Sequence, residues 1–302
     1  MEGVVVDSVQ VPITFVNHYS SFLGQKGPTA NGDFSNLFDA RLSDEDAADM
    51  VRDVTNMEIK EALFYLGDNK APGLDRYSAA FFKGAWDIIS ADLCRAVKEF
   101  FTNGNLLKEL NHTIIALIPK VTSPMRINDF RPISCCNVLF KCISKIIANR
   151  MKGSLINLVS QNQSAFVLGR RISDNILLTQ ELMHNYHLDR GQPRINGTLH
   201  GFFKGKRGLR QGDPLSPYLF TLVMEILTLM LKRRVSMSNN FTYHKYCSHL
   251  NIINLCFADD LFLFAHGDTD SARVIMDSLN EFKNASGLVP SLLKSMAYFA
   301  TL

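Results

Sequence analysis

The chain has 302 residues, 46% hydrophobic and 20% charged, a balance typical of a folded protein rather than a disordered one. Nothing at its start resembles a secretion signal, and its longest apolar stretch, 218–231, contains Glu225 and falls short of the roughly 20 residues that cross a bilayer. We therefore expect an intracellular protein, cytoplasmic or nuclear, that makes no use of a membrane. A formal net charge of +3 is compatible with nucleic-acid binding but does not require it.

The cysteine pattern argues against a zinc or redox centre. None of the six cysteines lies in a C-x-x-C spacing. His244, Cys247 and His249 are close in sequence, but a tetrahedral metal site needs a fourth ligand at a suitable distance. We expect all six cysteines to be reduced thiols.

The first third of the chain is predicted to be mainly helical. Aromatic residues between 15 and 22 suggest one short packed helix. The capping box Thr55–Glu58 predicts a helix that ends by Gly67, because apolar residues follow it at spacings of three and four. NKAPGLDR at 69–76 is typical of a turn, and a second helix is expected from about Ser90 to Thr102.

A strand and a helix are expected next. The β-branched run Thr113–Ile118 predicts a strand. Val138–Met151 has a clear helical period of apolar residues. Lys141, Lys145 and Arg150 lie away from the apolar side, and we expect the two lysines to face solvent or a phosphate backbone.

Two further stretches carry residues suited to chemistry. FFKGKRGLRQGDPLSP at 202–217 alternates glycines with four cations before a helix that begins at Ser216 and is apolar on nearly every side. Glycines let backbone amides approach phosphates closely while cations attract them, although an ordinary exposed basic hairpin is an equal alternative. The four cations are Lys204, Lys206, Arg207 and Arg210.

The second stretch, IINLCFADDLFLFA at 252–265, joins two short apolar runs through Asp259 and Asp260 and predicts a β-hairpin. Adjacent carboxylates repel each other, and a bound divalent cation allows both to stay ionised. A solvent-exposed turn without a metal is the alternative.

Several blocks in one order resemble the reverse transcriptase domain of plant LINE-type (non-LTR) retrotransposons. The resemblance implies an α+β fold, the fingers and palm of a right-hand polymerase, with helices packed on an antiparallel sheet and an incomplete palm. We expect a helical extension at 1–110, a fingers-like part at 111–194 and a palm-like part at 195–302. The blocks are IALIPK (115–120), DFRPISCCNV (129–138), QSAFV (163–167), GLRQGDPLSP (208–217), FADD (257–260) and SGLVPSLLKS (286–295), with NKAPGLDR upstream.

The same resemblance implies the metal and leaving-group residues. Asp259 and Asp260 would bind two catalytic Mg²⁺ ions, with Asp259 the more critical. Lys294 matches a lysine that protonates the pyrophosphate leaving group, a general-acid role that needs it near the metals.

The resemblance also assigns the nucleotide and nucleic-acid contacts. Lys120 and Arg131 would grip the triphosphate of the incoming nucleotide. Gln211 and Gly212 would contact the template and the new base pair. The implied partners are an RNA template, a DNA primer and deoxynucleoside triphosphates; no oligomeric state is implied.

One block of such domains is missing from this sequence. Similar chains carry an aspartate-containing strand between QSAFV and GLRQGDPLSP, whereas here Arg194 runs directly into Ile195. The nearest acids, Asp189 and Asp213, belong to other segments and are poor substitutes. We expect an RNA-directed DNA polymerase domain with impaired catalysis. The alternatives are a non-catalytic nucleic-acid-binding remnant and a chain that folds unstably because a lost strand exposes its neighbours' edges.

Overall fold

The computed structural model describes residues 10–27, 29, 34, 36–38, 40–173, 175, 201–291 and 294–296. These residues form two compact units. Unit 1 comprises the described residues of 10–27, 52–148 and 201–216, and unit 2 those of 29–51, 149–175 and 217–296. Asp189 and the junction of Arg194 with Ile195 lie outside the described residues. The three predicted segments 1–110, 111–194 and 195–302 stay a prediction.

The described residues combine helices with two small antiparallel sheets of two strands each, one sheet in each unit. None of the described helices is long and apolar enough to cross a membrane. The elements are α1 (Val11–Gly24), α2 (Asp44–Val51), α3 (Asn56–Tyr65), α4 (Ala79–Gly84), α5 (Trp86–Asn103), α6 (Lys108–Asn111), β1 (Thr113–Pro119), β2 (Phe130–Cys136), α7 (Val138–Leu158), α8 (Ser216–Met237), β3 (Asn254–Phe257), β4 (Asp260–Leu263) and α9 (Thr269–Ser286).

The helices of unit 1 begin and end largely where local sequence signals place them. The Thr55 hydroxyl accepts a hydrogen bond from the Glu58 amide at 3.1 Å, which caps α3 as predicted. Gly104 ends α5 in the left-handed conformation, with a φ of 70°. Helix α5 starts before the expected Ser90 because Trp86 and Ile89 pack against the core of unit 1.

The NKAPGLDR stretch forms the predicted turn, and its glycine sits against the residue that precedes α7. A Cβ at Gly73 would lie 1.9 Å from the Asn137 side-chain oxygen. The Asn137 amide group in turn donates to the Glu109 carbonyl at 3.1 Å. Only glycine fits this approach, so position 73 ties the turn to the entry of α7.

The predicted exposure of the lysines on α7 is wrong for Lys145. Lys145 is 9% exposed, with its Nζ 3.5 Å from the centre of the Tyr65 ring, and Arg150 is 8% exposed. The Lys141 ammonium donates to the Ala71 carbonyl at 2.8 Å. A period of 3.6 identifies the most apolar face of a helix, but it does not tell whether another element covers the opposite face.

Unit 2 is built around α8, the apolar helix that the sequence predicts to lie in the core. Its Leu227, Met230 and Leu231 are at most 2% exposed. Glu225 is buried on the same helix, and burial raises the pKa of its carboxyl group. The Ser160 amide and hydroxyl both donate to this carboxylate, at 3.0 and 2.5 Å, so the acid ties the end of α7 to α8.

The β1–β2 hairpin of unit 1 includes a strand that the sequence did not predict. Strand β2 contains Pro132, which pairs with Leu117 of β1. The Ser134 amide donates at 2.7 Å to the Gln211 carbonyl, so it points away from β1. Pro132 is two residues from Ser134, and a backbone amide at that position would also point away from β1. The missing N–H of Pro132 therefore costs the hairpin no hydrogen bond.

Gly212 lies against the free edge of β2. Its φ of 108° is strongly positive, and a Cβ there would lie 3.0 Å from the Ser134 carbonyl oxygen. The next contact would be 3.5 Å from the Ile133 side chain. Both the conformation and the space at this position favour glycine.

We predict that Gly212→Ala lowers the free energy of unfolding by about 1–3 kcal/mol, because alanine is strained at this φ. Gly205→Ala is the matched control, since a Cβ there would meet nothing within 4 Å. Urea unfolding of both variants measures the difference. Equal stability of the two variants would show that Gly212 does not hold the observed conformation in solution.

Candidate functional site

Lys120 and Arg131 lie on one face of the β1–β2 hairpin. Arg131 pairs with Ile118, and the Lys120 amide continues the ladder by donating to the Asp129 carbonyl at 2.7 Å. Lys120 is two residues beyond Ile118, so its side chain lies on the same face as that of Arg131. Diagonal neighbours of this kind are about 7–8 Å apart, a spacing that suits two phosphates of one triphosphate. Both residues are exposed.

Gly212 adjoins the same face. Its nearest side-chain neighbour is Ile133, which is two residues from Arg131 and therefore shares its side of the hairpin. The structure thus brings together four of the residues that the sequence singled out: Lys120, Arg131, Gln211 and Gly212. We call this surface the hairpin face.

The basic loop at 202–210 contains two kinds of cation. The Arg207 guanidinium donates to the Phe22 carbonyl and lies 4.7 Å from the centre of the Phe22 ring. Arg210 donates to the Asn111 side chain at 2.7 Å and stacks 4.7 Å from the Phe140 ring. These contacts hold the loop in place within unit 1. They also restrict both arginine side chains, which are therefore less free to adjust to a bound ligand.

The two lysines of the loop are exposed. Lys206 is positioned through its backbone, since its amide donates to the Leu23 carbonyl at 2.7 Å. Lys204 and Lys206 therefore present their ammonium groups to solvent from a backbone that α1 supports. Of the four predicted cations, these two are the better suited to bind a phosphate chain.

Asp259 and Asp260 lie at the tip of the predicted hairpin in unit 2. Strands β3 and β4 pair Phe257 with Asp260, which leaves Ala258 and Asp259 as the turn. Both carboxylates are exposed. Ala258 adopts a φ of 54°, which is unusual for a residue with a side chain.

We call Ala258, Asp259 and Asp260 the aspartate turn, and this turn offers part of a metal site. Carboxylate oxygens are the donors that Mg²⁺ prefers, so Asp259 and Asp260 fit one side of a coordination shell. Within the described ranges, no group of three or more His, Cys, Asp or Glu side chains could hold an ion. The residues described therefore fit a weakly held ion rather than a complete cage.

A segment that the sequence did not connect with this turn runs beside β3. The Cys256 amide donates to the Asn162 carbonyl at 2.7 Å, and the Ser164 amide donates to the Cys256 carbonyl at 3.2 Å. The Asn162 side chain adds a 2.7 Å hydrogen bond to the Asn254 carbonyl. Residues 162–164 thus occupy the edge of β3 opposite β4, which weakens the expectation that a lost strand leaves this edge exposed.

The remaining acids and Lys294 do not extend the aspartate turn. Asp213 is buried, and its two carboxylate oxygens accept from the Leu215 amide and the Ser216 hydroxyl at the start of α8. These bonds hold the Asp213 carboxylate within its own turn. Lys294 is exposed, and among the described residues it forms no ion pair with Asp259 or Asp260.

The cysteines agree with the sequence prediction. All six are free and buried. Burial raises the pKa of the Cys142 thiol to about 12 and that of Cys256 to about 11. These thiols are apolar packing groups rather than ligands or nucleophiles.

Residues 178–299 match the family model of reverse transcriptase (RNA-dependent DNA polymerase). The chain is 26% identical over 73% of its length to the transposon TX1 uncharacterized 149 kDa protein of Xenopus laevis, of which it covers 20%. It is likewise 26% identical over 73% of its length to a retrovirus-related Pol polyprotein of Drosophila melanogaster, from the type-2 retrotransposable element R2DM, of which it covers 24%.

A shorter match is closer in sequence. An uncharacterized mitochondrial protein of Arabidopsis thaliana is 42% identical over 27% of the chain, which covers 60% of that protein. The chain spans about a quarter or less of the two longer relatives. The aspartate turn and the basic loop both fall inside the range that the family model matches. Residues 178–299 are therefore similar to reverse transcriptases, and the two longer relatives are proteins of transposable elements.

Proposed function

We propose that the chain binds RNA and RNA–DNA duplex without sequence preference and that its polymerase activity is impaired. The observation that carries the binding part is the hairpin face together with the exposed Lys204 and Lys206, all within unit 1. Cations on a rigid backbone attract a phosphate chain without reading bases. The 42% identity to an Arabidopsis protein supports a plant origin of the parent element.

The hairpin face suits an incoming nucleotide. Lys120 and Arg131 would neutralise the triphosphate, while Gln211 and Gly212 would contact the template and the new base pair. Asp259 and Asp260 would hold Mg²⁺, which activates the primer hydroxyl and stabilises the leaving oxygens. Lys294 remains the proposed proton donor to pyrophosphate.

The polymerase activity would be impaired because the chain supplies too few carboxylates for two metal ions. A two-metal site would need carboxylates from two strands, and the aspartate turn supplies those of one. Asp213 is a poor substitute, since both of its carboxylate oxygens accept hydrogen bonds from residues that directly follow it, Leu215 and Ser216. The sequence offers no matching aspartate between QSAFV and GLRQGDPLSP. A non-catalytic nucleic-acid-binding remnant is therefore the second candidate.

We predict that replacing Lys204 and Lys206 by alanine weakens binding to every RNA sequence to a similar degree. It should also reduce the slope of log affinity against log salt by about two, one for each lost phosphate contact. Fluorescence anisotropy with two unrelated RNAs at several salt concentrations measures both effects.

The matched control replaces two exposed lysines elsewhere, Lys98 and Lys283, which changes the net charge equally. If the control variant loses as much affinity as the loop variant, binding is a property of overall charge rather than of this loop. A loss confined to one RNA would mean base readout. Folded wild-type protein that binds no RNA at low salt would end the proposal.

We further predict that the purified chain does not extend a primer on an RNA template at an appreciable rate, with Mg²⁺ or Mn²⁺ and all four deoxynucleotides. Loss of the two-metal site removes several kcal/mol of transition-state stabilisation, and each loss of about 1.4 kcal/mol lowers the rate about tenfold. Extension that disappears in Asp259→Asn would refute impairment and imply another acid, with Asp189 the first to test. Extension that survives this change would come from a contaminating polymerase.

A further inference from the structure

The conformation of the aspartate turn is unusual and calls for support. A hairpin with a two-residue turn needs a positive φ at its first position, a role that glycine, asparagine or aspartate normally fills. Ala258 holds that position with a φ of 54°. A left-handed residue with a Cβ is less stable than glycine there, so unassisted alanine would let the turn relax.

One side chain meets the turn from the neighbouring segment. Gln163 is 1% exposed, and its side-chain oxygen accepts a hydrogen bond from the Ala258 amide at 3.3 Å. The same oxygen accepts from the Ala165 amide at 2.9 Å, which fixes its position. The backbone around Gln163 is itself held to β3, since the residues on both sides of it bond to Cys256.

The side-chain nitrogen of Gln163 shows that packing alone does not explain why glutamine occupies this position. Its Nε2 is buried and has no hydrogen-bond partner among the residues that the structure describes. A buried amide with an unmet donor costs stability, and an apolar residue of similar size would avoid that cost. The oxygen end is therefore the feature that distinguishes glutamine at this position.

We propose that Gln163 is a positioning residue that holds Ala258 in the left-handed conformation and so sets the direction of the Asp259 and Asp260 carboxylates. This inference rests on the proposed role of those carboxylates as metal ligands. The contact between Gln163 and the turn, however, can be tested without any metal. Within unit 2, Gln163 links the end of α7 to the tip of the hairpin although it is 95 positions from Ala258 in the sequence.

The test compares Gln163→Met with wild type in the full chain. Methionine keeps the length and loses the acceptor, so exchange of the turn amides, followed by mass spectrometry of peptides spanning 256–262, should become roughly tenfold faster. Affinity for Mn²⁺, followed by the free-ion paramagnetic resonance signal, should fall about tenfold because fewer molecules hold the competent turn. Unchanged exchange in a folded Gln163→Met variant would overturn the proposal.

Adding Ala258→Gly separates positioning from packing. Glycine adopts a positive φ without strain, so Gln163→Met with Ala258→Gly should recover Mn²⁺ affinity to within about twofold of wild type. Failure to recover would mean that Gln163 acts only through packing. Ser164→Ala is the matched control, because the Ser164 hydroxyl is buried next to Gln163 and has no partner within the described part of the chain. That variant should leave both readouts unchanged.

Two further outcomes keep the inference distinct from the proposed function. Wild type that binds Mn²⁺ no better than the Asp259→Asn, Asp260→Asn double variant would refute the metal role, while the exchange data would still decide the role of Gln163. If Gln163→Met does not fold, Gln163→Asn replaces it in both measurements. Asparagine keeps the amide but is one methylene shorter, which withdraws its oxygen from Ala258.

Discussion

The pairing of residues 162–164 with the edge of β3 is the interaction on which unit 2 depends. It satisfies the buried Cys256 amide, and the Cys256 carbonyl accepts there from the Ser164 amide in addition to the Asn175 side chain. The Glu225 carboxylate stabilises the same segment by accepting from Ser160, and Arg170 donates to the carbonyls of Ser160 and Gln163. Through these contacts the end of α7, the core helix α8 and the aspartate hairpin form one connected network.

This pairing also bears on the expectation that a strand has been lost from the chain. An unpaired strand edge invites aggregation, and loss of a neighbouring strand would create such an edge. In unit 2 the segment at 162–164 covers the edge of β3 with two backbone hydrogen bonds at Cys256. The hairpin can therefore be stable although a single turn supplies the carboxylates at its tip. The stability of the hairpin therefore does not require a complete catalytic site.

The sequence predicted those elements that depend on residues close to one another in the chain. The Thr55 cap, the Gly104 stop and the β3–β4 hairpin depend on residues within a few positions of one another. The hairpin face was anticipated only through the family resemblance, since the sequence pattern did not predict β2. Pro132 hides that strand from a propensity argument, and only the pairing with β1 shows that its missing amide is harmless.

Contacts between distant positions could not be predicted in this way. The partners of Arg207 and Arg210 lie 185 and 99 positions away, and the helical period of α7 gave no sign that Tyr65 covers Lys145. Gln163 was noted only as part of the QSAFV block, because nothing near it in sequence indicates its contact with Ala258. The period of a helix or strand identifies a face, whereas the identity of the neighbour on that face depends on the whole fold.

We propose that the chain has an aspartate turn but lacks the acid that would complete a two-metal site. The most direct measurement is the sequence of the gene and its transcript across the codons for Arg194 and Ile195. Impairment predicts that the two codons abut in both. An in-frame stretch between them that encodes an aspartate-bearing strand, present in the mature transcript, would contradict it and restore a complete polymerase site to the protein.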